Sequence, residues 1–132
     1  MTRYLVTGGA GFIGGWLVQE LLKQDGALVT VVDNLSSNPI PLTQWQSELE
    51  ADSNTWGEDS EMFFFKANVR RILRTTFDPF DVIYHLASPV GPAGILKHRG
   101  AMVKSIVDDT YTVLTLAQDH EAKLVFVSTS EI

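Results

Sequence analysis

Three glycines recur at an even spacing near the start of the chain. They are Gly8, Gly11 and Gly14, in the run Thr7-Gly8-Gly9-Ala10-Gly11-Phe12-Ile13-Gly14. At this spacing each glycine has a task in holding a pyrophosphate. Gly8 permits a tight turn off a strand. Gly11 carries no side chain, so a phosphate can approach the backbone. Gly14 lets the following helix pack close to a sheet. A helix opening at Phe12 and Ile13 points free N–H groups and the positive end of its dipole at the phosphates. An acid, Asp33, follows roughly 20 residues on, where a carboxylate meets the hydroxyls of a ribose. That carboxylate would repel a 2′-phosphate, and no Arg or Lys follows it closely. The pattern therefore favours NAD over NADP. The plainer readings are a glycine turn with no ligand and Asp33 as an ordinary solvated turn acid.

These residues need a strand before the turn, a helix after it and a second strand ending at Asp33. The pattern supplies all three. Residues 3–7 are an apolar strand and 12–24 a helix, with Phe12, Ile13, Trp16, Leu17, Glu20 and Leu21 on one face. Ile13, Leu17 and Leu21 form its expected core stripe. Gly26 is the expected stop. Residues 28–32 are apolar on both faces, as a central parallel strand requires. Further on, residues 42–51 suit a short helix, 62–65 a third strand, 70–77 a short helix and 82–86 a fourth strand. Residues 89–94 suit a loop, 96–119 a long helix broken near Gly100, and 123–127 a fifth strand. Ile106, Val107, Tyr111, Leu114 and Ala117 are the expected buried side of the long helix. Strands alternating with helices make a parallel sheet. The expected fold is α/β, a Rossmann-type doubly wound parallel sheet that stops after its fifth strand. The stretch between Asn34 and Ser60, with Pro39 and Pro41, leaves its own path open.

Composition narrows the function. The chain has 132 residues, one domain's worth, of which 45% are hydrophobic. Its 16 acids and 10 bases give a net charge of −6, which argues against a nucleic-acid or anionic-membrane partner. It does not exclude a small anion held by backbone N–H groups. The absence of cysteine removes disulfides, thiolate catalysis and cysteine-based zinc sites. His85, His98 and His120 show no metal-ligand spacing, so no metal is expected. No signal-peptide pattern and no apolar run of about 18 residues is present, so a cytoplasmic protein is expected.

The run at 7–14 resembles the glycine turn of the extended short-chain dehydrogenase/reductases, the NAD-dependent nucleotide-sugar epimerase/dehydratase family. Asp33-Asn34-Leu35 is similar to that family's ribose motif. His85-Leu86-Ala87-Ser88-Pro89 is similar to the motif after its fourth strand. Ser128-Thr129-Ser130-Glu131-Ile132 is similar to the one that ends its fifth. The resemblance spans the chain. It is strongest to UDP-glucuronate decarboxylases, then to nucleotide-sugar dehydratases. It implies the strand order 3-2-1-4-5 and an NAD site. The matching positions are Gly8, Gly11, Phe12, Ile13, Gly14, Asp33, Asn34, Asn68, Val69, Leu86, Ala87 and Ser88. It also implies that Thr129 hydrogen-bonds a reacting oxygen, and that Ser130 and Glu131 serve a later elimination or decarboxylation. A plain strand end is the other reading of those three. His85 is expected to be a packed structural histidine.

The sequence also departs from the family. Asn68 stands where the family has an adenine-contacting Asp. The family's Asn-x-x-Gly-Thr is Ile106-Val107-Asp108-Asp109-Thr110 here. Four residues after Tyr4, Tyr84 and Tyr111 come Gly8, Ser88 and Thr115, so the family's Tyr-x-x-x-Lys catalytic pair does not occur. Three readings stay open. The chain is the NAD-binding part of a nucleotide-sugar enzyme and inactive alone, or a small NAD-binding sensor module, or an interaction protein that has lost its cofactor. The glycines and Asp33 speak against the third. An apolar fifth strand at the sheet edge also predicts self-association. The sugar and the reaction subtype are not readable.

Overall fold

The structure is a computed structural model that describes residues 1–37, 41–88 and 100–127. Strand β1 (Thr2–Thr7) turns through the glycines into helix α1 (Phe12–Leu22) and strand β2 (Ala27–Asp33). Helix α2 (Leu42–Ala51), strand β3 (Glu61–Lys66) and a 3-10 stretch (Val69–Arg74) follow. A short 3-10 turn (Ser53–Thr55) follows α2, and strand β4 (Val82–His85), helix α3 (Ala101–Asp119) and strand β5 (Lys123–Phe126) complete the described elements. The sheet has 5 strands in the order β3-β2-β1-β4-β5, and every pairing is parallel. Expected loop residues 89–94 and the expected helical residues 96–99 lie outside the described residues.

The strand pattern explains the layers. Successive side chains of a strand face opposite ways. Tyr4 and Val6 of β1, with Val29 and Val31 of β2, enter a core shared with α1 and α2. Leu5 and Val32 enter the other core, with Val113, Leu116 and Ala117 of α3 and Val69 and Ile72 of the 3-10 stretch. Burying each such Val or Leu contributes about 1.5–3 kcal/mol. The double-sided apolarity of β1 and β2 is thus what lets helices cover both faces.

Two helix faces differ in part from expectation, although Leu21 and Ala117 are buried and Leu17 packs on the core as expected. On α1 the buried residues are Gly14, Val18, Leu21 and Leu22, whereas Ile13 is 66% exposed. Gly14 is buried where the helix starts against the glycine turn, which leaves no room there for a Cβ. Hydrophobicity alone cannot reveal this, because glycine has no side chain to count. On α3 the buried residues are Thr112, Val113, Leu116 and Ala117. Val107, Tyr111 and Leu114 point outward instead, and Ile106 is half-buried. Thr112 can go inside because its hydroxyl donates to Asp108 O at 2.9 Å. The expected helix at 70–77 is the shorter 3-10 stretch, closed by Thr75 N–H donating to Ile72 O. Among the described residues no helix is long and apolar enough to cross a membrane.

Candidate functional site

The C-terminal ends of β1, β2 and β4 open onto one cleft of about 530 Å³. This is where ligands bind in open parallel sheets, and the volume lies within the usual range of small-molecule sites. The glycine turn forms its floor. Gly8 has φ +74 and donates its N–H to Val32 O at 2.8 Å, which ties the turn to β2. A Cβ on Gly8 would lie 2.7 Å from Ala87 N, so β4's outgoing chain lies directly against the turn. A Cβ on Gly14 would lie 2.2 Å from Gly8 O. Helix α1 therefore starts so close to the turn that only hydrogen fits between them. Phe12 and Ile13, in the first turn of that helix, line the cleft with Gly11.

Asp33 closes the floor on the β2 side. Its Oδ2 accepts the Ala10 N–H at 3.0 Å, and its Oδ1 accepts the Leu35 N–H at 2.7 Å. One carboxylate thus fixes both the glycine turn and the chain leaving β2. Each carboxylate oxygen has a further lone pair with which to accept a ribose hydroxyl. Next to it, Asn34 donates Nδ2–H to Asn68 Oδ1 at 2.8 Å, linking the ends of β2 and β3.

On the β4 side the cleft is bounded by Leu86, Ala87 and Ser88. They are held by a buried polar cluster beneath. Thr7 Oγ1 lies 2.7 Å from His85 Nδ1 and accepts the Ala87 N–H at 3.3 Å. Burial lowers the His85 pKa from 6.5 to about 4, so the ring is neutral near pH 7. His85 lies beneath the wall and positions it; its ring also packs on Phe126, with centroids 5.6 Å apart.

All twelve residues matched to the cofactor site line this cleft. Thr129, Ser130 and Glu131 lie outside the described residues. The cleft also includes Arg70, Ser105 and Asp109, which sequence reasoning missed. Arg70 Nε lies 3.2 Å from Asp109 Oδ1, and its Nη1 lies 3.5 Å from Asp108 Oδ2. The Asp109 oxygen is buried and its ion pair lacks an aligned hydrogen bond. Burial pushes the Asp109 carboxyl above its usual range, and Arg70 opposes the shift. The only signal in the sequence was the i, i+4 placement of Ser105 and Asp109 on one helix face.

Known proteins share this fold. The chain is 36% identical over 137 residues to a UDP-glucuronate 4-epimerase of Thermodesulfobacterium geofontis, covering 100% of the chain and 41% of that protein. It is 32% identical to UDP-glucuronic acid decarboxylase 1 of Danio rerio, covering 98% of the chain and 28% of that protein. Among solved structures, the UDP-glucose-4-epimerase of Stenotrophomonas maltophila, with bound NAD and formylated UDP-arabinopyranose, superposes with a TM-score of 0.77. That match has 25% identity and covers 98% of this chain and 38% of that one. The chain thus spans well under half the length of these relatives. The family model for NAD dependent epimerases and dehydratases matches residues 4–132, and the chain belongs to that family.

Proposed function

We propose that the cleft holds NAD by its pyrophosphate and adenosine ribose, as the cofactor-binding portion of an enzyme acting on a nucleotide sugar. The observation that carries this is Asp33, whose carboxylate is fixed against the glycine turn inside the same cleft as Gly11 and Gly14. The turn and the first residues of α1 receive the pyrophosphate. Asp33 and Asn34 receive the ribose, and Asn68 and Val69 the base. Leu86, Ala87 and Ser88 border the other half of the cofactor. NAD bound there supplies a hydride acceptor for a sugar carbon. The sugar class rests on the relatives, which are named for UDP-sugars. Thr129, Ser130 and Glu131 are assigned to the reacting end by motif. The 132 residues contain no Tyr-x-x-x-Lys, so we propose that they bind cofactor without turning over sugar.

Calorimetric titration with NAD and NADP tests the cofactor reading. NAD is expected to bind more than about tenfold tighter, because Asp33 repels a 2′-phosphate. Asp33→Ala is expected to weaken NAD by about 10- to 100-fold, the range for lost hydrogen bonds to a charged group. It also narrows the gap to NADP. A thermal melt separates this from unfolding, since Asp33 also braces the turn. A folded wild-type chain that takes NADP as well as NAD would refute the assignment.

We also propose that the chain self-associates through β5. Among the described residues this strand pairs only with β4, and it carries exposed Phe126, followed by exposed Val127. Unpaired edges of this kind recruit other strands. Sedimentation at tens of micromolar is expected to show a dimer, and a clean monomer would contradict the proposal.

A further inference from the structure

The glycine turn and α1 rise beside one core of the sheet, and α3 and the 3-10 stretch beside the other. The cleft takes residues from both sides. A ligand seated on Gly11 and Gly14 therefore has Arg70, Ser105 and Asp109 across the sheet edge from it.

That wall holds a carboxylate that is only partly neutralised. Arg70 is divided between two acids, with Nε 3.2 Å from Asp109 Oδ1 and Nη1 3.5 Å from Asp108 Oδ2. Asp108 has a second cation, Lys104, at 2.6 Å, whereas among the described residues Asp109 has only its share of Arg70. The Asp109 side chain is 13% exposed and that of Arg70 47%, so water reaches the acid less than its counter-ion. Asp109 Oδ1 is shut off from solvent and has no aligned hydrogen bond. The elements packed against α3 also carry Arg71 and Arg74 on the 3-10 stretch, Tyr84 and His85 on β4, and Lys123 on β5. Asp33 lies on the β2 side of the same cleft. The groups that act on Asp109 are Arg70, Asp108 and Ser105.

A dinucleotide lying along this wall changes the balance. It brings the negative charge of its pyrophosphate into the cleft, and it displaces water that still screens Asp109. Both effects disfavour a carboxylate and favour a carboxylic acid. The neutral acid also gains an O–H donor, which the ionised form lacks. Burial already moves this carboxyl upward against the pull of Arg70.

We propose that the cleft takes up a proton together with the dinucleotide, and that the proton goes to Asp109, so that cofactor affinity rises as the pH falls. Asp109 is the proton-linked residue, and Arg70 sets the pH at which it acts. The inference rests on the dinucleotide reading of the cleft. A ligand that prefers the protonated form binds tighter wherever that form is populated, by up to about tenfold per pH unit for one proton.

Calorimetric titration with NAD at about pH 7.5 and about pH 5.5, in buffers of different ionisation heat, reads both affinity and proton uptake. The wild-type chain is expected to take up a fraction of a proton per NAD and to bind more than about threefold tighter at the lower pH. His85, with a pKa of about 4, stays neutral through that window and adds no proton. Asp109→Asn cannot ionise. It is expected to bind NAD tighter than the wild type at the higher pH, with no proton uptake and no change with pH. Arg70→Gln removes the opposing charge and is expected to move the rise in affinity to higher pH. Thermal melts at each pH check that the variants are folded. NAD binding by the wild type without proton uptake overturns the proposal, as does an Asp109→Asn chain that keeps the wild-type pH dependence. Both of those outcomes leave the dinucleotide reading standing. A folded wild-type chain that takes no NAD at either pH defeats that reading, and this inference falls with it.

Discussion

Replacing Gly14 with alanine is expected to weaken NAD binding by more than about tenfold and to lower the melting temperature by on the order of 10 °C. The added Cβ would sit 2.2 Å from Gly8 O and 2.7 Å from Gly9 Cα. Both are backbone atoms, so no side chain can swing aside. Either α1 lifts off the sheet or the turn deforms, and overpacking of this kind costs about 3 kcal/mol. The same shift displaces the N–H groups at the start of α1 that are proposed to meet the pyrophosphate. The neighbouring glycine supplies a control. A Cβ on Gly15 would meet Trp45 Nε1 at 3.6 Å, an ordinary contact. Gly15→Ala is therefore expected to be neutral, or to stabilise the helix by up to about 1 kcal/mol. Thermal melts and NAD titrations of the two variants make the comparison. Equal behaviour of Gly14→Ala and Gly15→Ala would refute the close-approach account.

Acid is expected to destabilise the fold through His85. Its folded pKa is about 4 against 6.5 for a free histidine, because burial disfavours the charged ring. The unfolded chain therefore takes up this proton first. The stabilisation is complete above pH 6.5, declines as the pH falls, and is gone below about pH 4. Over that window the single group accounts for about 3 kcal/mol. Asp109 works in the opposite sense over the carboxylate range. Its raised pKa means that the folded state takes up the proton more readily, so stability rises as that group is protonated. Urea midpoints measured from pH 7 to 4.5 should fall for the wild type. His85→Leu should be weaker at pH 7, because the Thr7 hydroxyl loses its partner, yet much flatter with pH. A wild-type midpoint that does not change over this range would count against the burial argument.

The parts of the site legible in the sequence are those that backbone geometry imposes. Gly8 must adopt positive φ and Gly14 must admit a helix, so their residue types are not free. Asp33 is legible for a related reason, since its place at the end of β2 follows from strand length. The errors arose where burial is not proportional to hydrophobicity. Gly14 is buried while adding nothing to an apolar count, and Thr112 is buried with its hydroxyl satisfied by its own helix. The pairing of Arg70 with Asp108 and Asp109 was not legible either. It joins a 3-10 stretch to a helix far along the chain, and a local pattern carries no information on such a contact.

The central place of β1 has a consequence for how the chain assembles. β1 pairs with β2, its near neighbour in sequence, and also with β4, where Thr7 is in register with His85. The second pairing closes a long loop, and the entropy of that closure must be met before the β4 contacts repay it. The cleft straddles this seam, with Gly8, Asp33 and Asn68 on one side and Leu86 and Ala87 on the other. The dinucleotide proposed to bind there would span the two sides of this pairing. By mass action alone, ligand at about 100 times its Kd would add about 2.7 kcal/mol to the folded state. On the proposed reading of the cleft, the dinucleotide would thus contribute to the fold's stability as well as occupy its site.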